Sequence, residues 1–215
     1  MAFIEYRNFL YSHNMKKYII LILLSFFLTS CTTKRFDINT VDFSYEYTEQ
    51  NILPLRYHDR SSLNLETANK IIKSIAAKDS NIWGYYYVQH DFDRTERKLF
   101  DIINIDYVTL ILHVVGVPEA RVHYNLNARV YLFDSYGNIV EIYEKSGYVM
   151  QYRGLYYGYD HPIENMSKEY KRMFKEIVND ISTNRERTNN LLLLSGALED
   201  DNTTETYTKI YMIIK

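Results

Sequence analysis

The sequence predicts an α+β domain, an antiparallel sheet with two main helices packed on one face, behind an N-terminal leader. Three observations predict it. Residues 121–133 alternate strictly, with Val122, Tyr124, Leu126, Ala128, Val130 and Leu132 facing one way and Arg121, His123, Asn125, Asn127, Arg129 and Tyr131 the other. Two stretches, beginning near Leu65 and Ile163, carry apolar stripes at the 3.6-residue period. The strand patterns are grouped around these two helices, in the order strand, helix, strand, central hairpin, helix.

The leader comes first. Met15-Lys16-Lys17 is followed by an 11-residue apolar run, Tyr18–Leu28, broken only by Ser25, and then by Thr29, Ser30 and Cys31. A basic stub, a short apolar run and small residues before a cut make a secretory signal. The run is shorter than the ~20 apolar residues that a membrane-crossing helix needs. Met15 is the more usual kind of start, so residues 1–14, with Glu5 among them, read as an extension upstream of it.

The ending Leu28-Thr29-Ser30-Cys31 resembles the lipobox of bacterial lipoproteins, in which an aliphatic and two small residues precede an obligatory cysteine. The resemblance covers about Met15 to Cys31 and implies an address, not an activity. It implies cleavage between Ser30 and Cys31 and attachment of diacylglycerol, with fatty chains such as palmitate, to the Cys31 thiol. Membrane lipid then becomes a partner through the acylated cysteine. Thr32 in place of the Asp that favours inner-membrane retention in Gram-negative lipoproteins points to the outer membrane. Lys34 and Arg35, just past the cut, depart from the usual pattern. The residue chemistry agrees with the resemblance, because the chain's lone cysteine has no partner for an intrachain disulfide in an oxidising envelope. At ~0.8 kcal/mol per buried methylene, two or three acyl chains hold firmly where one does not.

Residues 1–30 thus form the signal peptide, 31–40 a lipidated tether, and 41–215 a single α+β domain. Losing Arg7, Lys16, Lys17 and Glu5 with the leader leaves 22 basic and 26 acidic side chains and a net charge of -4. No electropositive field for phosphate backbones exists, so nucleic acid is not expected as a partner.

Along the domain, Val41, Phe43, Tyr45 and Tyr47 alternate with polar residues as a half-buried strand. Ile52–His58 reads as a strand that Pro54 confines to an edge. Leu65, Ala68, Ile71, Ile72, Ile75 and Ala76 share a helical stripe, with Ser62 or Asn64 as cap. Trp83–Gln89 is aromatic and strand-favouring. Asp93 and Glu96 have capping-box spacing, which predicts a short helix over 94–104. Ile105–Val115 is nearly continuous in apolar and β-branched residues, a central strand. After the 121–133 strand, Asp134–Asn138 is a turn and Ile139–Glu144 its hairpin partner. Ser146–Tyr159 reads as a Tyr/Gly-rich loop. Asp160 and Pro162 suit the start of a long helix that buries Ile163, Met166, Tyr170, Met173, Phe174, Ile177, Val178 and Ile181. Leu191–Leu198 is apolar and of uncertain form, Glu199–Thr204 a polar loop, and Tyr207–Ile214 a last strand. Ile71, Ile75, Phe174, Ile177, Leu126 and Val130 are the expected core.

Catalytic chemistry is poorly represented. His58-Asp59, His90-Asp91-Phe92-Asp93 and Asp160-His161 set imidazole beside carboxylate, as a metal-dependent hydrolase would need, but no three-ligand spacing, nucleophile elbow or nucleotide loop accompanies them. Caps at Asp93 and Asp160 explain two of the pairs as well. No enzyme, cofactor or metal is therefore expected. Two surfaces are candidates for binding. One is the Tyr/Gly segment with Tyr148, Tyr152, Tyr156, Tyr157 and Tyr159, because rigid amphipathic rings among glycines make recognition loops. The other is the polar ladder of Arg121, His123 and Arg129 on one strand face. The leading expectation is a non-enzymatic scaffold or accessory lipoprotein that binds another envelope protein. The alternative is a binder of glycan or small ligand at the surface or in the periplasm, and a His/Asp hydrolase stands a distant third.

Overall fold

The computed structural model describes residues 35–44, 52–72, 81–98, 112, 114–154, 156–158, 160–198 and 203–215. They belong to two compact units. Of Met1–Arg35 with Tyr159–His161, only Arg35, Asp160 and His161 are described; the folded unit is Phe36–Gly158 with Pro162–Lys215.

Its elements are β1 (Arg56–Tyr57), α1 (Leu65–Ile71), β2 (Gly84–Lys98), β3 (Ala120–Asp134), β4 (Ile139–Arg153), α2 (Ile163–Thr183), α3 (Arg185–Ser195) and α4 (Thr203–Ile214). The class is α+β. Strands lie in the order β1-β2-β3-β4, with β2, β3 and β4 antiparallel. The sheet is mixed at one edge, because β1 runs parallel to β2. The cause is connectivity: the chain leaves β1, passes through α1 and returns to pair beside it, and such a crossover joins parallel strands.

α2 covers one face of the sheet. Its buried Met166, Tyr170, Met173, Phe174, Ile177, Val178 and Ile181 meet the apolar phase of β3, from Val122 to Leu132. Of the expected core, Ile71, Phe174, Ile177, Leu126 and Val130 are fully enclosed, whereas Ile75 lies outside the described residues. α1 is capped by Asn64, whose Oδ1 accepts from the Thr67 N–H at 2.8 Å. Leu65, expected on its buried stripe, is half exposed in the first turn.

Packing begins before Val41. Phe36 stacks on Tyr170 with centroids 5.6 Å apart, and Ile38 is buried in a 3₁₀ turn, Ile38–Thr40, capped by Asp37. Val41 and Phe43 are buried but form no strand, because Asp42 accepts hydrogen bonds from the Ser44 N–H and hydroxyl and turns the chain. Tyr45 and Tyr47 lie outside the described residues.

Four other expectations are corrected. Arg94–Lys98 continues β2 instead of starting a helix: Lys98 pairs with Ala120, and polar residues on both faces hid the alternation. The end of the expected 105–115 strand is helical at Leu112 and Val114, where the Val117 N–H donates to the Leu112 carbonyl; 105–111 lie outside the described residues. Residues 146–153 are strand, not loop. Gly147 in β4 is tolerated because a Cβ there would come within 2.2 Å of Glu169 Oε1, so glycine leaves room for that carboxylate. The tight turn falls later, where Gly158, at φ 78°, donates its N–H to the Gly154 carbonyl. Finally, Tyr207–Ile214 belongs to helix α4. Thr206 and Ile210 are four apart and both buried, and Ile210 lands on Tyr85, Tyr87 and Phe133 on the sheet face opposite α2.

The apolar stretch at Leu191 is the second half of α3, which Gly196 ends at φ 82°. At the start of α2, Pro162 is the N-cap residue and makes no side-chain capping bond. No helix among the described residues is long and apolar enough to cross a membrane.

Candidate recognition face

The two faces of the sheet differ. α2 closes one, while α4 covers only the end of the other, over Tyr85, Tyr87 and Phe133. The rest of that second face is built in rows across β2, β3 and β4: Gln89-Arg129-Glu144, Asp91-Asn127-Ser146, Asp93-Asn125-Tyr148, Thr95-His123-Met150 and Arg97-Arg121-Tyr152. The predicted polar ladder is therefore real as a face, and Tyr148 and Tyr152 of the predicted tyrosine set share it with Arg121, His123 and Arg129.

The middle rows are internally satisfied. Arg129 donates from Nε to Glu144 Oε1 at 2.7 Å and from Nη1 to Asp91 Oδ2 at 3.2 Å. Asn127 donates to Asp91 Oδ1 at 2.7 Å and accepts from the Ser146 hydroxyl at 3.0 Å. The Glu144 bond, reinforced by both negative charges, holds Arg129 more firmly protonated than usual. Arg129 thus clamps three strands together. Charge-assisted pairs of this kind fix geometry more than they leave capacity for a ligand.

The far rows are open. Tyr148 is 69% exposed, and it also lines a depression of about 490 Å³ formed with Asn165, Lys168, Glu169 and Arg172 of α2 at the β4 edge. Tyr152 and Arg121 are exposed and His123 partly so. Beyond the strand, Tyr156 and Tyr157 are exposed rings whose hydroxyls are engaged: they donate to the Val114 and Gly116 carbonyls at 2.7 and 3.0 Å. Tyr157 also lies 6.0 Å from Tyr152, centroid to centroid. Tyr159, Ser30 and Cys31 lie outside the described residues.

The His/Asp pairs do not converge. His58 is buried while Asp59 points to solvent, 3.9 Å from the imidazole Nδ1. His58 packs at 4.9 Å from the Tyr207 ring, and its Nε2 has no hydrogen-bond partner among the described residues. His90 and Asp91 sit on opposite faces of β2, His90 bonded to the Ser62 hydroxyl at 2.7 Å and Asp91 committed to Asn127 and Arg129. Asp93 is in a strand and caps nothing. Among the described residues no three His, Cys, Asp or Glu side chains are grouped to hold a metal.

Burial holds the pKa of both His58 and His90 below the ordinary value. The unfolded chain therefore binds protons more readily than the folded one as the pH falls through ~6.5. Stability should be full above that pH and should decline below it. In urea melts at pH 7.5 and at successively lower pH, His58→Phe is expected to flatten part of this decline, leaving the share due to His90. An acid dependence identical to wild type would show that His58 does not titrate on unfolding.

A second depression, of about 550 Å³, is lined by Asp59, Arg60, Thr204, Tyr207, Thr208 and Tyr211, with the Arg60 guanidinium 4.1 Å from the Tyr211 ring centre. It depends on α4 being a helix, so reading 207–214 as a strand concealed it.

No family model matches the chain, and no curated protein is recognisably similar. Among solved structures, a minor lipoprotein from Acinetobacter baumannii aligns at 13% identity over 72% of this chain and 99% of its own, with a TM-score of 0.28.

Proposed function

We propose that the chain is a lipid-anchored lipoprotein of the bacterial cell envelope that acts without catalysis, binding another envelope protein as a scaffold or accessory subunit. Two features support the reading. The Leu28-Thr29-Ser30-Cys31 sequence supplies the address, with the outer membrane favoured by Thr32. The observation that carries the binding role is Tyr148 and Tyr152, exposed on edge strand β4 beside Arg121 and His123, on the part of the sheet that no described helix covers. Aromatic rings and arginine are the side chains that anchor interfaces, and apolar area left open to water calls for a partner.

Affinity capture from cross-linked envelopes tests this. The double variant Tyr148→Ser/Tyr152→Ser is expected to lose the captured protein, about tenfold or more, with its melting temperature nearly unchanged because both rings face solvent. Undiminished capture by a folded double variant would remove this surface from the account.

A further inference from the structure

The last row of the open face sets two like charges directly across from each other. Arg97 of β2 is the cross-strand partner of Arg121 of β3, and Thr95 the partner of His123. With Asn125 these residues line a depression of about 280 Å³. Like charges in directly opposed positions destabilise a sheet, so two arginines there call for a counter-charge. None is supplied among the described residues. Neither guanidinium has a carboxylate partner among them, and the side-chain contact of Arg121 is with the Met150 sulfur.

The opposite face at the same end shows how this sheet ordinarily handles such charges. There Glu96 accepts from both Arg94 and Arg153, so two guanidiniums share a carboxylate between them. Within the paired rows of the open face the first carboxylate beyond these arginines is Asp93, one row past Thr95. The Thr95 hydroxyl, the Asn125 amide and the His123 ring add further hydrogen-bonding groups around the two charges.

We infer that Arg97, Arg121 and His123 form a binding site for a phosphoryl group. A tetrahedral anion offers oxygens to guanidiniums converging from two strands and has further oxygens for the Thr95 and Asn125 donors, whereas a carboxylate has only two oxygens. The site adjoins the residues proposed to hold the protein partner, Tyr152 being the cross-strand neighbour of Arg121, but its arginines are distinct from the tyrosines replaced in the capture test. It draws on the lipid-anchor reading only for one source of the phosphate, a phospholipid headgroup. An acylated Cys31 would hold the folded unit near a bilayer, because only four residues separate it from Phe36, at most ~17 Å of chain. A soluble phosphoester is the other source.

The test uses the full chain in dodecyl maltoside micelles, which carry no phosphate, with side-chain Nε–H resonances of Arg97 and Arg121 followed by NMR. Titrated inorganic phosphate should shift both, together with the Thr95, His123 and Asn125 amides, and the shifts should saturate. In Arg97→Gln/Arg121→Gln the remaining amide shifts should need at least about tenfold more phosphate, while Lys175→Gln leaves them unchanged. In nanodiscs of phosphatidylcholine and phosphatidylglycerol without added phosphate, the same shifts indicate a headgroup ligand; their appearance only with added phosphate indicates a soluble one. Shifts that never saturate, or that persist equally in the double variant, overturn the site. Loss of this site with protein capture intact would leave the proposed function standing, and loss of capture with phosphate binding intact would do the reverse.

Discussion

Truncating Phe174 to alanine is expected to destabilise the domain by ~3 to 5 kcal/mol. The ring is fully enclosed, meets Phe43 edge-on at 5.7 Å and stacks on Tyr170 at 6.4 Å, so its loss leaves a cavity inside the core. Neighbours fixed in a sheet and a helix can collapse into such a gap only in part. Ile177→Ala, one turn further along α2 and equally buried, should cost ~2 to 5 kcal/mol. Chemical denaturation measures both through the shift in midpoint at constant slope. Losses under about half a kcal/mol would mean that α2 does not present this face to the sheet.

Cys31→Ser is expected to have the largest effect outside the fold. If the thiol carries the lipid, the variant should take up no acyl analogue in metabolic labelling, and its precursor should not be cut before residue 31. The wild type should label and fractionate with membranes. The mature chain would then be held by two or three acyl chains, whose burial at ~0.8 kcal/mol per methylene makes dissociation slow. A serine variant that is labelled and processed as before would contradict the anchor.

How much of the fold was legible in the sequence depends on how one-sided each pattern is. β3 and α2 bury one face each and leave the other polar, so their periods could be read directly and their buried residues named. The second half of β2 could not. Asp93 to Lys98 is polar on both faces, and its alternation carries no hydrophobic signal; the capping-box spacing of Asp93 and Glu96 then suggested a helix. That misreading had a consequence for the site, because an Arg97 placed on a helix cannot be set opposite Arg121. Extending the β2 pattern to Lys98 would have revealed the pair. α4 failed for a different reason: Tyr207–Ile214 fits both periods, and contact of Ile210 with Tyr85, Tyr87 and Phe133 decides between them. The tyrosines were legible as a group but not in their roles. Tyr148 and Tyr152 stand open on the sheet, whereas Tyr156 and Tyr157 also tie down the backbone at Val114 and Gly116.

The central claim, that this is an envelope lipoprotein working from a lipid anchor, is tested most directly by the intact mass of the protein extracted from membranes. The predicted result is a chain beginning at Cys31 and carrying the mass of a diacylglyceryl group, with or without a further acyl chain on its amine. An unmodified chain, or one that begins at any other residue, would contradict it.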